Sequence, residues 1–186
     1  MKTNNQIYRA GDILLFKTMH GFPGCLQVLF DGPSGHAEII MDDNCNGSVM
    51  TLGTNFDGMK FRTQTLNGDH CVLRAHFAID ELRMLQSIHN VYDDHDHKYA
   101  YAGLLNAAWQ QFMDDLTGNT WKKHVPIRVG TSLFCSATVA ACYEDYNGYR
   151  FHARGEKDMR PEVVTPNDLL LDDDFFIVKP FQDRLG

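Results

Sequence analysis

The amino-acid sequence predicts an α+β fold, an antiparallel β-sheet or partial barrel packed against helices. Two observations carry this expectation. Short apolar runs of strand length, divided by turn dipeptides, fill the first half of the chain, and the apolar spacing lengthens to a helical period only after residue 78. Strands first and helices grouped later belong to α+β architecture, because a parallel sheet needs strands and helices in alternation.

Taken in order, Gly11 and Asp12 turn the chain into an apolar run at 13–16, and a second run occupies 26–30. The segment Asp31-Gly32-Pro33-Ser34-Gly35 then breaks the pattern. Runs at 36–41, 48–52, 59–62 and 71–77 follow, separated by Asn-Gly, Asp-Gly and Asn-Gly-Asp signals that suit hairpins, so a meander of neighbouring strands is expected. From Ile79 the residues Leu82, Leu85, Ile88 and Val91 recur at three-residue steps, with Asp80 and Glu81 where a helix dipole favours acids. This predicts a helix over 79–92. A second is expected over 99–116, stopped by Thr117-Gly118-Asn119, and a third over 132–146 before Asn147-Gly148. Residues 165–169 read as a turn and 175–178 as a closing strand.

A chain of 186 residues, 44% hydrophobic and 11% aromatic, has enough apolar material for one core. No repeat, low-complexity stretch or long linker divides it, so a single domain over 1–186 is expected. A formal charge of −7 with 17 Lys and Arg, adjacent only at Lys122-Lys123, excludes a broad nucleic-acid footprint, which needs clustered cations. The first twelve residues lack the apolar centre of a signal peptide, and no apolar run nears the roughly 20 residues of a membrane span. The expectation is a cytoplasmic protein without an integral membrane segment.

Five cysteines, at 25, 45, 71, 135 and 142, show neither a CxxC pair nor a regular spacing, which argues against a disulfide scaffold or a zinc ribbon. Cys135 stands apart. It opens the small-residue helical stretch Cys135-Ser136-Ala137-Thr138-Val139-Ala140-Ala141 after Gly130-Thr131-Ser132, and a thiol at a helix N-terminus is drawn toward the thiolate by unsatisfied N–H groups. Cys142, two turns on, reads as packing. A nucleophilic thiolate needs a proton carrier, and among nine histidines His36 is the best placed, at the start of an apolar strand directly after a Pro/Gly loop. His95 and His97, in an acidic connection, read as solvated rather than as a metal site, and neither a metal nor an organic cofactor is expected.

Four ordered landmarks then stand out: Gly11-Asp12-Ile13-Leu14-Leu15, Gly35-His36-Ala37-Glu38-Ile39-Ile40, Phe134-Cys135-Ser136-Ala137-Thr138-Val139-Ala140, and Thr165-Pro166-Asn167-Asp168-Leu169. In order and spacing they resemble circularly permuted papain-like cysteine peptidases of the NlpC superfamily, in which the histidine strand precedes the cysteine helix. The resemblance covers about residues 10 to 179 and implies a permuted papain-like fold and a cysteine hydrolase, an amidase or peptidase working through Cys135, His36 and an acyl-enzyme. It aligns Thr51 with the polar residue that orients the imidazole in many members. Glu38 competes for that role through its shared strand face with His36, although the alternation places it more readily as a substrate contact. Tyr99 and Tyr101 resemble the aromatic helix start of the family and either line the cleft or anchor the helix, while Ala100 replaces the acid often found between them. The implied partner is a small-molecule, peptide or acyl-group substrate. Two alternatives stand beside this, a lipid or thioester acyltransferase on the same scaffold and a non-catalytic peptide- or protein-binding module.

Overall fold

The computed structural model of the protein describes residues 7–17, 33–44, 46–55, 57–95, 97, 134–153 and 158–182. The strand expected at 26–30, the helix expected at 99–116, Tyr99 and Tyr101 lie outside these residues. Six strands, β1 (Ile13–Lys17), β2 (Ser34–Asp43), β3 (Ser48–Asn55), β4 (Gly58–Thr65), β5 (His70–Ala75) and β6 (Phe175–Lys179), form one antiparallel sheet that is not closed. Three α-helices accompany it among the described residues: α1 (Glu81–Asp94), α2 (Cys135–Asn147) and α3 (Pro166–Leu171). The α+β class read from the sequence is therefore correct.

The strand order β4-β3-β2-β1-β5-β6 departs from a simple meander. β1 to β4 lie side by side in order, but β5 leaves β4 and pairs with β1, Ile13 facing Leu73. The Asn67-Gly68-Asp69 signal marks a chain reversal, and a reversal alone does not say which strand is met next. The link also shapes the sheet. From β4 to β5 is four strand spacings, about 19 Å on a flat sheet, whereas the five Cα steps from Thr65 to His70 reach only about 17 Å. The sheet has to curl for the connection to close. In agreement, Leu66 of the link packs with Leu14, Ile40, Val49 and Val72 as a small cluster on the concave face.

Period-two alternation sends the neighbouring residues to the other face. Ile13, Leu15, Ala37, Ile39, Leu52, Cys71 and Leu73 form the main core with the helices. α1 is capped by Asp80, whose Oδ1 accepts the N–H groups of Leu82 at 3.0 Å and Arg83 at 3.2 Å. Its buried stripe is Met84, Ser87, Ile88 and Val91, while Leu82 is 80% exposed. The three-residue step read from the sequence drifts around a 3.6-residue helix, and the i, i+4, i+7 series from Met84 is the one that stays in the core, on the side facing α2.

α2 is buried from Cys135 to Tyr143, between the sheet, α1 and a 3₁₀ turn at Pro161–Val163. Its buried hydroxyls and a helix carbonyl are matched to neighbours. Ser136 Oγ donates to Val164 O at 2.6 Å, Thr138 and Thr54 hydroxyls meet at 2.6 Å, Ser87 Oγ donates to Cys142 O at 2.6 Å, and Tyr143 donates to Gly11 O. Gly148 ends the helix in the left-handed conformation, φ 76°, returning its N–H to Glu144 O. The expected turn at 165–169 is in fact the start of α3, closed by a reciprocal capping box between Thr165 and Asp168 with Pro166 in the first turn. Pro and Asn make the segment read as a turn, but the same residues are a helix start when an acid stands at the third position.

Candidate active site

β2 begins at Ser34, whose N–H donates to the buried Asn167 Oδ1 of α3 at 3.1 Å. Two residues on, His36 projects to the concave face, opposite Phe16 in the β1 register. The Phe16 ring lies 5.0 Å from the imidazole, tilted 51°, and covers one side of it. The His36 side chain keeps 21% exposure, so water reaches the ring. Cys135 enters from the other side as the first residue of α2, behind an extended N-cap, Phe134, that offers no side-chain cap. The four contacts that lock α2 hold its N-terminus at this end of β2.

His36 links Cys135 to Glu38. Nε2 of His36 lies 3.2 Å from Glu38 Oε1, which leaves the other ring nitrogen for the hydrogen bond to Cys135. Burial favours a neutral ring, but the charge of the Cys135 thiolate, its hydrogen bond and then Glu38 outweigh it and raise His36 to about 9. Burial likewise resists the thiolate. The His36 charge and hydrogen bond, with the N–H groups of Ala37 and Ser136 aimed at sulfur, bring Cys135 below its ordinary value. Each group thus favours the charged form of the other, thiolate beside imidazolium.

Glu38 is fully buried, and a buried carboxylate without partners costs several kcal/mol. Its partners are complete: Oε1 on His36, and Oε2 accepting from Thr51 Oγ1 at 2.6 Å and Gln64 Nε2 at 2.9 Å. Burial pushes this carboxyl up, yet His36, then Thr51 and Gln64, hold it below the usual carboxylate range. Room for it comes from Gly53, directly opposite in the β2–β3 register. A Cβ at Gly53 would lie 2.4 Å from Glu38 Cγ and 2.6 Å from Cδ and Oε1.

Two expectations from the sequence change here. Thr51 does not touch the imidazole. Its hydroxyl is spent on Glu38, so it acts one bond further out. Glu38 orients the ring itself and, with no exposed surface, is closed to substrate. Same-face residues two apart on a strand are separated by roughly 6–7 Å between Cα atoms, and a glutamate side chain is long enough to span that distance to the ring. The other described thiols lack such surroundings: burial raises Cys71 to about 11 and pushes Cys142 well up, with Asp145 adding to the latter. His95 Nδ1 and His97 Nε2 bond the α1 carbonyls of Val91 and Tyr92, at 3.0 and 2.8 Å. Sequence reasoning missed Gln64, Gly53 and Phe16. Gln64 sits among alternating polar residues of an edge strand, where nothing marks it as different from a solvated side chain.

No protein-family model and no curated protein matches the chain.

Proposed function

We propose that the protein is a cysteine hydrolase of permuted papain-like design, an amidase or peptidase that works through an acyl-enzyme on Cys135. The observation that carries this reading is the His36 imidazole set between the Cys135 sulfur, at the N-terminus of a buried helix, and the Glu38 carboxylate. Structural thiols have no use for a raised imidazole, and a buried Glu38 is costly unless it holds a charge in place.

The reaction follows from the groups present. Cys135 Sγ attacks the substrate carbonyl carbon and forms the C–S bond, while the C=O π pair moves to oxygen. Ala37 and Ser136 N–H groups serve the sulfur, so the Cys135 N–H, which has no acceptor within the helix, is the donor left for the oxyanion. When the oxyanion collapses, the C–N bond breaks and His36 gives its proton to the leaving amine. His36, now neutral, takes a proton from water as that water attacks the thioester, and the acid departs with Cys135 returned as thiolate. Glu38 keeps the ring oriented and favours its charged form throughout.

The test is labelling of the folded protein with a small iodoacetamide probe across pH, located by mass spectrometry, with His36→Ala in parallel. Cys135 labelling first, with an apparent pKa well under the free value of about 8.5 and a dependence on His36, is the expected result. An acyl adduct on Cys135 after incubation with peptide amides or thioesters then identifies the donor class. A Cys135 no faster than Cys71 overturns the reading and leaves a binding scaffold.

A further inference from the structure

Gln64 pairs with Val49 in the β3–β4 register, four residues along β3 from Gly53, the residue opposite Glu38. On a flat sheet that offset, about 13 Å along the strand and about 10 Å across two spacings, is beyond the joint reach of two such side chains. The observed 2.9 Å bond between Gln64 Nε2 and Glu38 Oε2 therefore crosses the concavity of the curled sheet. It brings a donor from the edge strand to a carboxylate buried near the sheet's centre. Gln64 is itself only half buried, yet its amide spans to a group with no exposure at all.

A carboxylate can present either oxygen, and it can rotate. Thr51 supplies one donor to Oε2, and a single donor leaves the group free to turn about it. Two donors on Oε2 from different strands, Thr51 of β3 and Gln64 of β4, fix the plane and leave Oε1 for His36. We propose that Gln64 is a positioning residue of this site, holding Glu38 in the orientation that keeps Oε1 on the imidazole. The inference rests on the hydrolase reading above and adds the residue that governs how firmly the imidazolium is held. Gln64 acts through Glu38 and His36 and does not touch the reacting atoms.

The test compares wild type with Gln64→Met, which keeps volume and loses the donor, and Gln64→Lys, which returns a donor of longer reach. Two readouts are followed: the His36 ring titration by NMR on histidine-labelled protein, and the apparent pKa of Cys135 alkylation. Gln64→Met lowers the His36 value by about half a unit or more and raises that of Cys135 alkylation, about a threefold rate loss at a pH below the titration. Gln64→Lys leaves alkylation at or below the wild-type value. A Gln64→Met protein whose two titrations superimpose on wild type, or a Gln64→Lys protein shifted equally with it, overturns the positioning role while the hydrolase reading stands. A wild-type Cys135 that is not poised defeats both. Cys71 and Cys142 report folding, since neither labels without denaturant in an intact core. If Gln64→Met exposes them, Gln64→Asn, which keeps an amide one methylene short, carries the same expectation.

Discussion

Adding one methyl group at Gly53 should disable the site without altering any group that takes part in the chemistry. The φ of Gly53 is not positive, so alanine is compatible with the backbone, and in a strand it ordinarily stabilises by about 0.5–1 kcal/mol. The obstacle is space: the new Cβ would lie 2.4 Å from Glu38 Cγ where ordinary contact begins at 3.4 Å. Glu38 has to retreat by about 1 Å, and its 3.2 Å bond to His36 then exceeds any useful hydrogen-bond length. A hydrogen bond to a charged group is worth about 1.5–3 kcal/mol, or about 1–2 pKa units at ~1.4 kcal/mol each. His36, now at about 9, falls to roughly 7–8. The ring then loses its charge near neutral pH, and Cys135 faces a neutral imidazole and titrates closer to its ordinary value. The assay is the pH profile of Cys135 alkylation beside a thermal melt. A Gly53→Ala protein that melts normally and alkylates with the wild-type profile would refute the claim that Glu38 holds the imidazolium.

Other outcomes follow from the same structure. His36→Ala leaves Cys135 buried without its cation, so its alkylation pKa should rise above the free value of about 8.5 and the rate at pH 7 should fall at least tenfold, measured with iodoacetamide. The raised His36 contributes stability that is complete below its unfolded value of about 6.5, declines as pH rises through about 9 and is absent beyond. The lowered Cys135 opposes this, contributing stability that is gained as pH rises toward its unfolded value of about 8.5, so the fall in melting temperature should be confined to pH above about 8.5 and be absent in His36→Ala. Thr165→Ala removes the α3 cap that accepts the Asp168 N–H and should cost about 1 kcal/mol by denaturant titration. Tyr143→Phe strands the buried Gly11 carbonyl and should cost about 1–3 kcal/mol while leaving the alkylation pKa of Cys135 in place.

The parts of the fold that were legible in the sequence are those set by local periodicity. β1, β2 and β6 begin within two residues of the expected runs, and α2 ends where Asn147-Gly148 said it would. What was not legible depends on how elements meet. The return of β5 to β1 leaves no local trace, because Asn67-Gly68-Asp69 turns the chain equally well into a hairpin or away from one. The phase of α1 is set in the same way, by its neighbours. Leu82 is as apolar as Met84, and only the position of α2 and the core beneath it decides which of them is buried.

The site divides along the same line. Cys135 is marked by its place at a helix start and His36 by its place at a strand start, and both marks are local. Glu38 is two residues from His36 and equally local, yet its role depends on what surrounds it. In a solvated strand a glutamate at that position would face water, and its reach to the ring would be worth little. The curl of the sheet encloses it, Gly53 makes the space, and Thr51 and Gln64 supply the donors that let it stay charged there. Three of the residues that give the carboxylate its function thus lie on two other strands, 13 to 26 positions away. Each is unremarkable in sequence because its contribution exists only once the sheet has curled around Glu38. For that reason substitutions at Gly53 or Gln64 are more informative than those at Cys135 or His36. Loss of function at the latter pair would follow from almost any cysteine mechanism, whereas a shifted pH profile from a methyl group or a missing amide follows only if Glu38 is the group holding the ring.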